Sequence, residues 1–132
     1  MEKFQKTNMR FLNPIILILT LTLLKADGFD TLSYYNRFDL AVNNYKEGRF
    51  RLAEDRFSTI LKENRNYRDP AAQLMMGKSQ YRQGKWIDAI HTGKSVISNY
   101  HRSPYDIHAK MLLGDVALAR GHATPAFEAY LR

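Results

Sequence analysis

Cysteine is absent from all 132 residues. Its absence removes disulfides, thiolate metal sites and cysteine nucleophiles together. It also removes a bacterial lipid anchor, which needs a cysteine at the cleavage point. Proline and glycine are scarce, at four and seven residues, and several of them recur at a fixed interval. Long hydrophobic runs are missing as well. The longest, Ile15 to Leu24, has ten residues, whereas a membrane-spanning helix needs about 20 to cross about 30 Å of hydrocarbon. Nor is there a dense charge of one sign. The formal charge is +7 with a pI near 9.7, and Lys3, Lys6, Arg10 and Lys25 against Glu2 place +3 of it in the first 26 residues. The remainder is mildly basic, unlike a dedicated nucleic-acid binder.

What is present begins with an address. Residues 1 to 13 are polar and basic, Pro14 opens the ten-residue apolar run, and the small Ala26 follows before Asp27-Gly28. A basic start, a short apolar core and a small residue at its end are the parts of an export signal. Leu24 and Lys25 depart from the small-x-small pattern preferred for cleavage. An uncleaved anchor and a buried core helix are the other readings of this segment, and the basic flank argues against the second. Residues 1–26 are thus a signal peptide or anchor, 27–33 a linker and 34–132 the folded domain.

That domain repeats itself. Gly48, Gly84 and Gly121 lie 36 and 37 residues apart, and Ala53, Ala89 and Ala126 keep the same intervals. So do Ala41, Gly77 and Gly114, then Tyr45, Tyr81 and Leu118, then Phe50, Trp86 and Ala123. Each column has a physical task. The first glycines end helices in a left-handed conformation. Ala41, Gly77 and Gly114 sit mid-helix, where glycine costs about 1 kcal/mol against alanine, so close helix contact is the reason for them. Ala53, Ala89 and Ala126 lie early in the following helices and would face that small residue. Phe50 and Trp86 start those helices as large apolar anchors.

Apolar spacings of three and four support the same reading. Phe50, Ala53, Phe57, Ile60 and Leu61 form one stripe, and Trp86, Ala89, Ile90, Gly93, Val96, Ile97 and Tyr100 another. Asp69-Pro70, Ser103-Pro104 and Thr124-Pro125 each put a capping side chain before a proline at the first helical position. The pattern predicts six helices, at approximately 32–47, 50–65, 70–83, 86–100, 104–120 and 124–132.

These residues resemble the tetratricopeptide repeat, in which Leu-Gly-x2-Tyr in a first helix precedes a glycine turn, an aromatic and Ala-x3-Phe in a second. The first copy (34–69) reads Leu40-Ala41, Gly48, Phe50, Ala53-x3-Phe57. The second (70–103) reads Met76-Gly77, Gly84, Trp86, Ala89-x3-Gly93, and the incomplete third (104–132) Leu113-Gly114, Gly121, Ala126-x3-Tyr130. The tyrosine column falls one place late at Tyr45 and Tyr81, and Leu118 replaces it in the third copy. The segment Asn99 to Tyr105 is similar to the linker of bacterial envelope tetratricopeptide proteins, the type that includes Tol–Pal-associated coordinators and outer-membrane assembly lipoproteins. The resemblance implies an all-α solenoid of helical hairpins and a non-catalytic role in binding proteins.

Chemistry-bearing patterns are thin. His91, His101, His108 and His122 have no paired-ligand spacing, and no His-Glu-x-x-His helix, Gly-x-Ser-x-Gly elbow or phosphate-binding glycine loop occurs. No catalytic residue, metal or cofactor is expected. In the family, positions flanking the packing glycine line a concave face. Carried onto this chain they are Tyr35, Phe38, Val42, Tyr45 and Lys46; Leu74, Lys78, Tyr81 and Arg82; and His108, Met111 and Asp115. Tyrosine, methionine and basic groups suit another protein or a peptide segment of acidic character. For Phe38, Leu74 and Met111 the competing reading is packing between repeats, and for Lys46, Lys78 and Arg82 a solvated face. The resulting expectation is an exported scaffold in envelope assembly or cell-wall regulation. Its alternative is the front arm of a larger exported substrate-binding or synthase-activating protein. Nucleic acid is disfavoured, and membrane contact is expected only through an uncleaved N-terminal segment.

The first 26 residues should direct export. A reporter fused behind residue 33 should be active only outside the cytoplasm, and N-terminal sequencing should find the product shortened near Ala26. A cytoplasmic product that retains Met1 would refute export.

Overall fold

The computed structural model describes residues 28, 32–63, 70–122 and 128. The chain divides into two units, residues 1–32 and 33–132. The predicted export signal, Asp69, and all of the predicted sixth helix but Glu128, with Thr124-Pro125, Ala126 and Tyr130, lie outside the described residues. Among the described residues from Ser33 onward there are five helices: α1 (Tyr34–Lys46), α2 (Phe50–Glu63), α3 (Pro70–Arg82), α4 (Trp86–Asn99) and α5 (Pro104–Ala119). No strand occurs among the described residues. These bounds fall within two residues of those predicted.

The helix ends explain the hairpins. Gly48, Gly84 and Gly121 have φ of 78°, 74° and 79°, the left-handed region that a Cβ makes costly. Each turn closes with the same pair of bonds. Gly48 N–H donates to the Tyr45 carbonyl at 3.1 Å and Arg49 N–H to that of Asn44 at 2.8 Å. Gly84 and Lys85 repeat this onto Tyr81 and Gln80, and Gly121 and His122 onto Leu118 and Ala117. This is a Schellman closure, which satisfies the last carbonyls of a helix and reverses the chain in three residues.

The helix starts differ from expectation in one place. Ser33 caps α1, its hydroxyl accepting from Asn36 N–H at 3.4 Å. Ser103 occupies the cap position of α5 before Pro104, but its side chain makes no capping bond. Instead the Asp106 N–H donates to the Ser103 carbonyl at 3.1 Å. Proline alone therefore begins α5, its fixed φ already helical.

Consecutive helices pack on one another, α3 packs on α5, and α1 meets α3 more lightly. The core follows the predicted stripes: Ala41, Ala53, Phe57, Ile60, Ala89 and Val96 are fully buried. Burying a side chain the size of Phe57 stabilises by about 1.5–3 kcal/mol. Gly77 is buried where helices converge. A Cβ built there would lie 2.9 Å from Leu112 Cδ2 and 3.1 Å from Thr92 Cγ2. Leu74, weighed above as a groove residue, is 4% exposed and belongs to a core cluster with Ala109, Leu112 and Val116 of α5.

A polar clamp joins the first hairpin to the second. Glu54 of α2 accepts from Gln80 Nε2 at 3.2 Å, Gln83 Nε2 at 2.7 Å and Lys85 Nζ at 2.6 Å. The Gln80 side-chain amide oxygen, Oε1, in turn accepts from the buried Thr92 hydroxyl at 2.8 Å. Burial opposes ionisation of Glu54. The bonds from Lys85, Gln83 and Gln80, with the charge of Lys85, outweigh it and hold the carboxyl below its ordinary range. Arg37 of α1 also pairs with Glu63 of α2.

Two outcomes follow from this packing. Gly77→Leu should destabilise by about 1–3 kcal/mol through overpacking, and an unchanged thermal midpoint would show that the seam tolerates bulk. The second concerns acid. A carboxyl whose folded-state pKa is depressed adds stability that is complete above its unfolded value and lost as pH falls through the folded one. The native chain should therefore lose this increment below about pH 4.3, the ordinary glutamate value. Glu54→Gln, which cannot ionise, should lose less on going from neutral pH to about pH 3.5. Urea titrations of both proteins at both pH values measure the difference. Identical acid losses would remove Glu54 from the account.

Candidate peptide-binding groove

The first helices of the three copies bring part of the predicted face together. Tyr45 of α1, Lys78, Tyr81 and Arg82 of α3, and His108, Met111, Leu112 and Asp115 of α5 line one groove of about 260 Å³. Leu112 is its buried floor. Tyr45, Lys78 and Tyr81 are half-buried walls, while Arg82, His108, Met111 and Asp115 are exposed at the rim.

The walls are held by aromatic contacts that repeat with the sequence. The Tyr45 ring meets Phe50 edge-on at 5.3 Å between centroids, and Tyr81 meets Trp86 at 5.5 Å. Phe50 carries a second load, because the Arg82 guanidinium carbon stands 4.5 Å from its ring centroid. Such a contact contributes about 0.5–1 kcal/mol at an exposed site. It fixes an α3 cation against the first hairpin, so the charge enters the groove in a set direction. Each anchor at the start of a second helix thus orients the tyrosine at the end of the preceding first helix.

Other predicted residues fall elsewhere. The Phe38 ring packs edge-on against the fully buried Phe57 at 5.7 Å and stacks with Tyr34 at 6.4 Å. Tyr35 is 78% exposed and meets Tyr34 edge-on. Val42 is half-buried and Lys46 exposed, and neither lines the groove. Leu112 was missed. It precedes the Leu113-Gly114 pair that marks the repeat, and only the packing of α5 on α3 turns it into the groove. The Glu54 clamp was missed too, since it joins side chains from two hairpins that no local spacing relates.

In electrostatic terms the groove sets two cations, Lys78 and Arg82, and His108 around tyrosine and methionine surfaces, with Asp115 as its acidic member. This arrangement offers donors to a carboxylate and apolar contact to a side chain beside it.

No family model matches the sequence, and no curated protein matches it. Solved structures do. The chain is similar to the type III secretion translocator chaperone SycD of Yersinia enterocolitica, with a TM-score of 0.64 and 19% identity, over 73% of this chain and 69% of that one. It is also similar to a thermophilic TPR protein of Thermus thermophilus, with a TM-score of 0.61 and 25% identity, over 75% of this chain and 52% of that one. The fold is therefore an all-α, tetratricopeptide-like solenoid of helical hairpins.

Proposed function

We propose that this chain is a non-catalytic protein-binding module whose groove holds a peptide segment of acidic character from a partner protein. The observation that carries the reading is the placement of Lys78 and Arg82 beside Tyr45, Tyr81 and Met111 in one groove. A peptide laid there would set a carboxylate against the cations and an apolar side chain over Leu112. Hydrogen bonds to charged groups are worth about 1.5–3 kcal/mol each when desolvated, so two cations suffice for a recognisable preference. Similarity to a translocator chaperone and a TPR protein supports a role in binding proteins. The reading includes export by residues 1–26 and service in the bacterial envelope, in assembly or cell-wall regulation. The basic start, the short apolar core and Ala26 support it, with the envelope-type linker before α5.

Lys78→Ala with Arg82→Ala should weaken a partner captured by the native chain by at least about tenfold, which is about 1.4 kcal/mol. Tyr81 is left in place because its ring packs on Trp86. Thermal stability should fall by no more than the lost contact with Phe50, about 0.5–1 kcal/mol. Calorimetric titration reads the affinity. Equal binding by the double variant would move the site off this groove.

A further inference from the structure

The peptide groove holds a histidine. His108 of α5 is exposed at the rim and lines the groove with Lys78, Tyr81 and Arg82 of α3 and Tyr45 of α1. Asp115 lies further along α5 on the same rim. On another side of α5, α4 packs with Gly93 against Leu113 and Ala109, and α4 contributes no residue to the groove. As residue types, lysine, arginine, tyrosine and aspartate change charge outside the interval from about pH 5 to about pH 8, and histidine changes charge inside it. The chain has four histidines. His91 and His101 do not line this groove, and His122 lines the apolar one between α4 and α5. With a neutral imidazole, Lys78 and Arg82 against Asp115 leave the lining a single net positive charge. A proton on His108 doubles it.

We infer that peptide binding in this groove is linked to protons: His108 takes up a proton as an acidic segment binds, so the segment is held more tightly as pH falls from about 8 to about 6. This rests on the groove being a site for acidic peptide, and adds its regulation. The cause is electrostatic and reciprocal. A carboxylate seated beside Lys78 and Arg82 favours an imidazolium on the facing rim, and the imidazolium favours the carboxylate by the same free energy. The complex therefore binds the proton more tightly than the free groove does, and acid drives association. Water reaches the exposed rim and screens the pair, so the gain is that of an exposed ion pair, about two- to fivefold in affinity. The interval stays above the range in which Glu54 loses its charge, and above that of a peptide's own carboxylates. The docking of the two hairpins and the charge of the peptide are thus constant across it.

The test uses the full chain and a peptide of alternating aspartate and leucine, acetylated and amidated so that its ends do not titrate. Calorimetric titration should find binding about two- to fivefold tighter at about pH 6 than at about pH 8. Repeating it in two buffers of different ionisation heat should show net proton uptake. His108→Gln should bind at both pH values with close to the native affinity at pH 8, and without uptake. His108→Lys should bind at both with close to the native affinity at pH 6. Position 108 is exposed, so circular dichroism should find the helicity of both variants unchanged. His91→Gln with His101→Gln should keep the native pH dependence, and asparagine in place of the peptide's aspartate should remove it. Equal native affinity at the two pH values, or a pH dependence that survives in His108→Gln, would overturn the proton link and leave the peptide site standing. No binding of the aspartate peptide by the native chain at either pH would overturn the peptide site and the proton link together.

Discussion

The structure depends on helix backbones approaching at small side chains. Ala41, Ala53 and Ala89 are fully buried, and Gly77 and Gly114 are buried with them. The chain accepts about 1 kcal/mol of helix propensity at Gly77 so that Leu112 and Thr92 can close to within what would be 2.9 and 3.1 Å of a Cβ. Interiors are packed like crystals, so one added methyl is felt across the contact. From this seam follows the position of Leu112, from Leu112 the floor of the groove, and from the floor the distance between its α3 walls and its α5 rim.

The two junctions between hairpins use different physics on one geometry. At the first, Glu54 gathers bonds from Gln80, Gln83 and Lys85. In the repeat register those four positions become Ile90, Ala117, Arg120 and His122 at the second. These line an apolar groove of about 260 Å³ with Leu113, Val116 and Lys94. A hydrogen-bonded carboxylate is directional and specifies one docking register. Apolar contact is proportional to area and sets none. Directed bonds thus specify the docking register at the first junction, while the second relies on apolar area.

The first and last described helices differ in the same sense. Asn36, Asp39 and Asn43 give α1 a solvated leading face, while Ile107 and Leu118 leave α5 with an apolar one. In a solenoid each repeat buries its apolar side only against a neighbour. The groove, with Arg82 steered by Phe50 and Tyr81 by Trp86, lies between α3 and α5.

Residues alone determined the repeat, the helices and the turns. Glycine at 48, 84 and 121 has a local cause in positive φ, and local causes are visible without a fold. The small-residue columns and the apolar stripes are likewise one-dimensional patterns, and they marked the core through Ala53, Phe57, Ala89 and Val96. Which groove residues meet was only half visible. The family pattern proposed Phe38 and Tyr45 alike, since both lie on α1 near Ala41, but Phe38 turns onto the fully buried Phe57 while Tyr45 turns onto Phe50. A rotation of one helix face decides between them, and that rotation is set by packing against another helix. The Glu54 clamp, the floor at Leu112 and the cation held by Phe50 join residues 26 to 32 positions apart or lie where two hairpins meet. Such contacts exist only once the hairpins dock, because directional bonds and ring contacts require geometry that no spacing along the chain encodes.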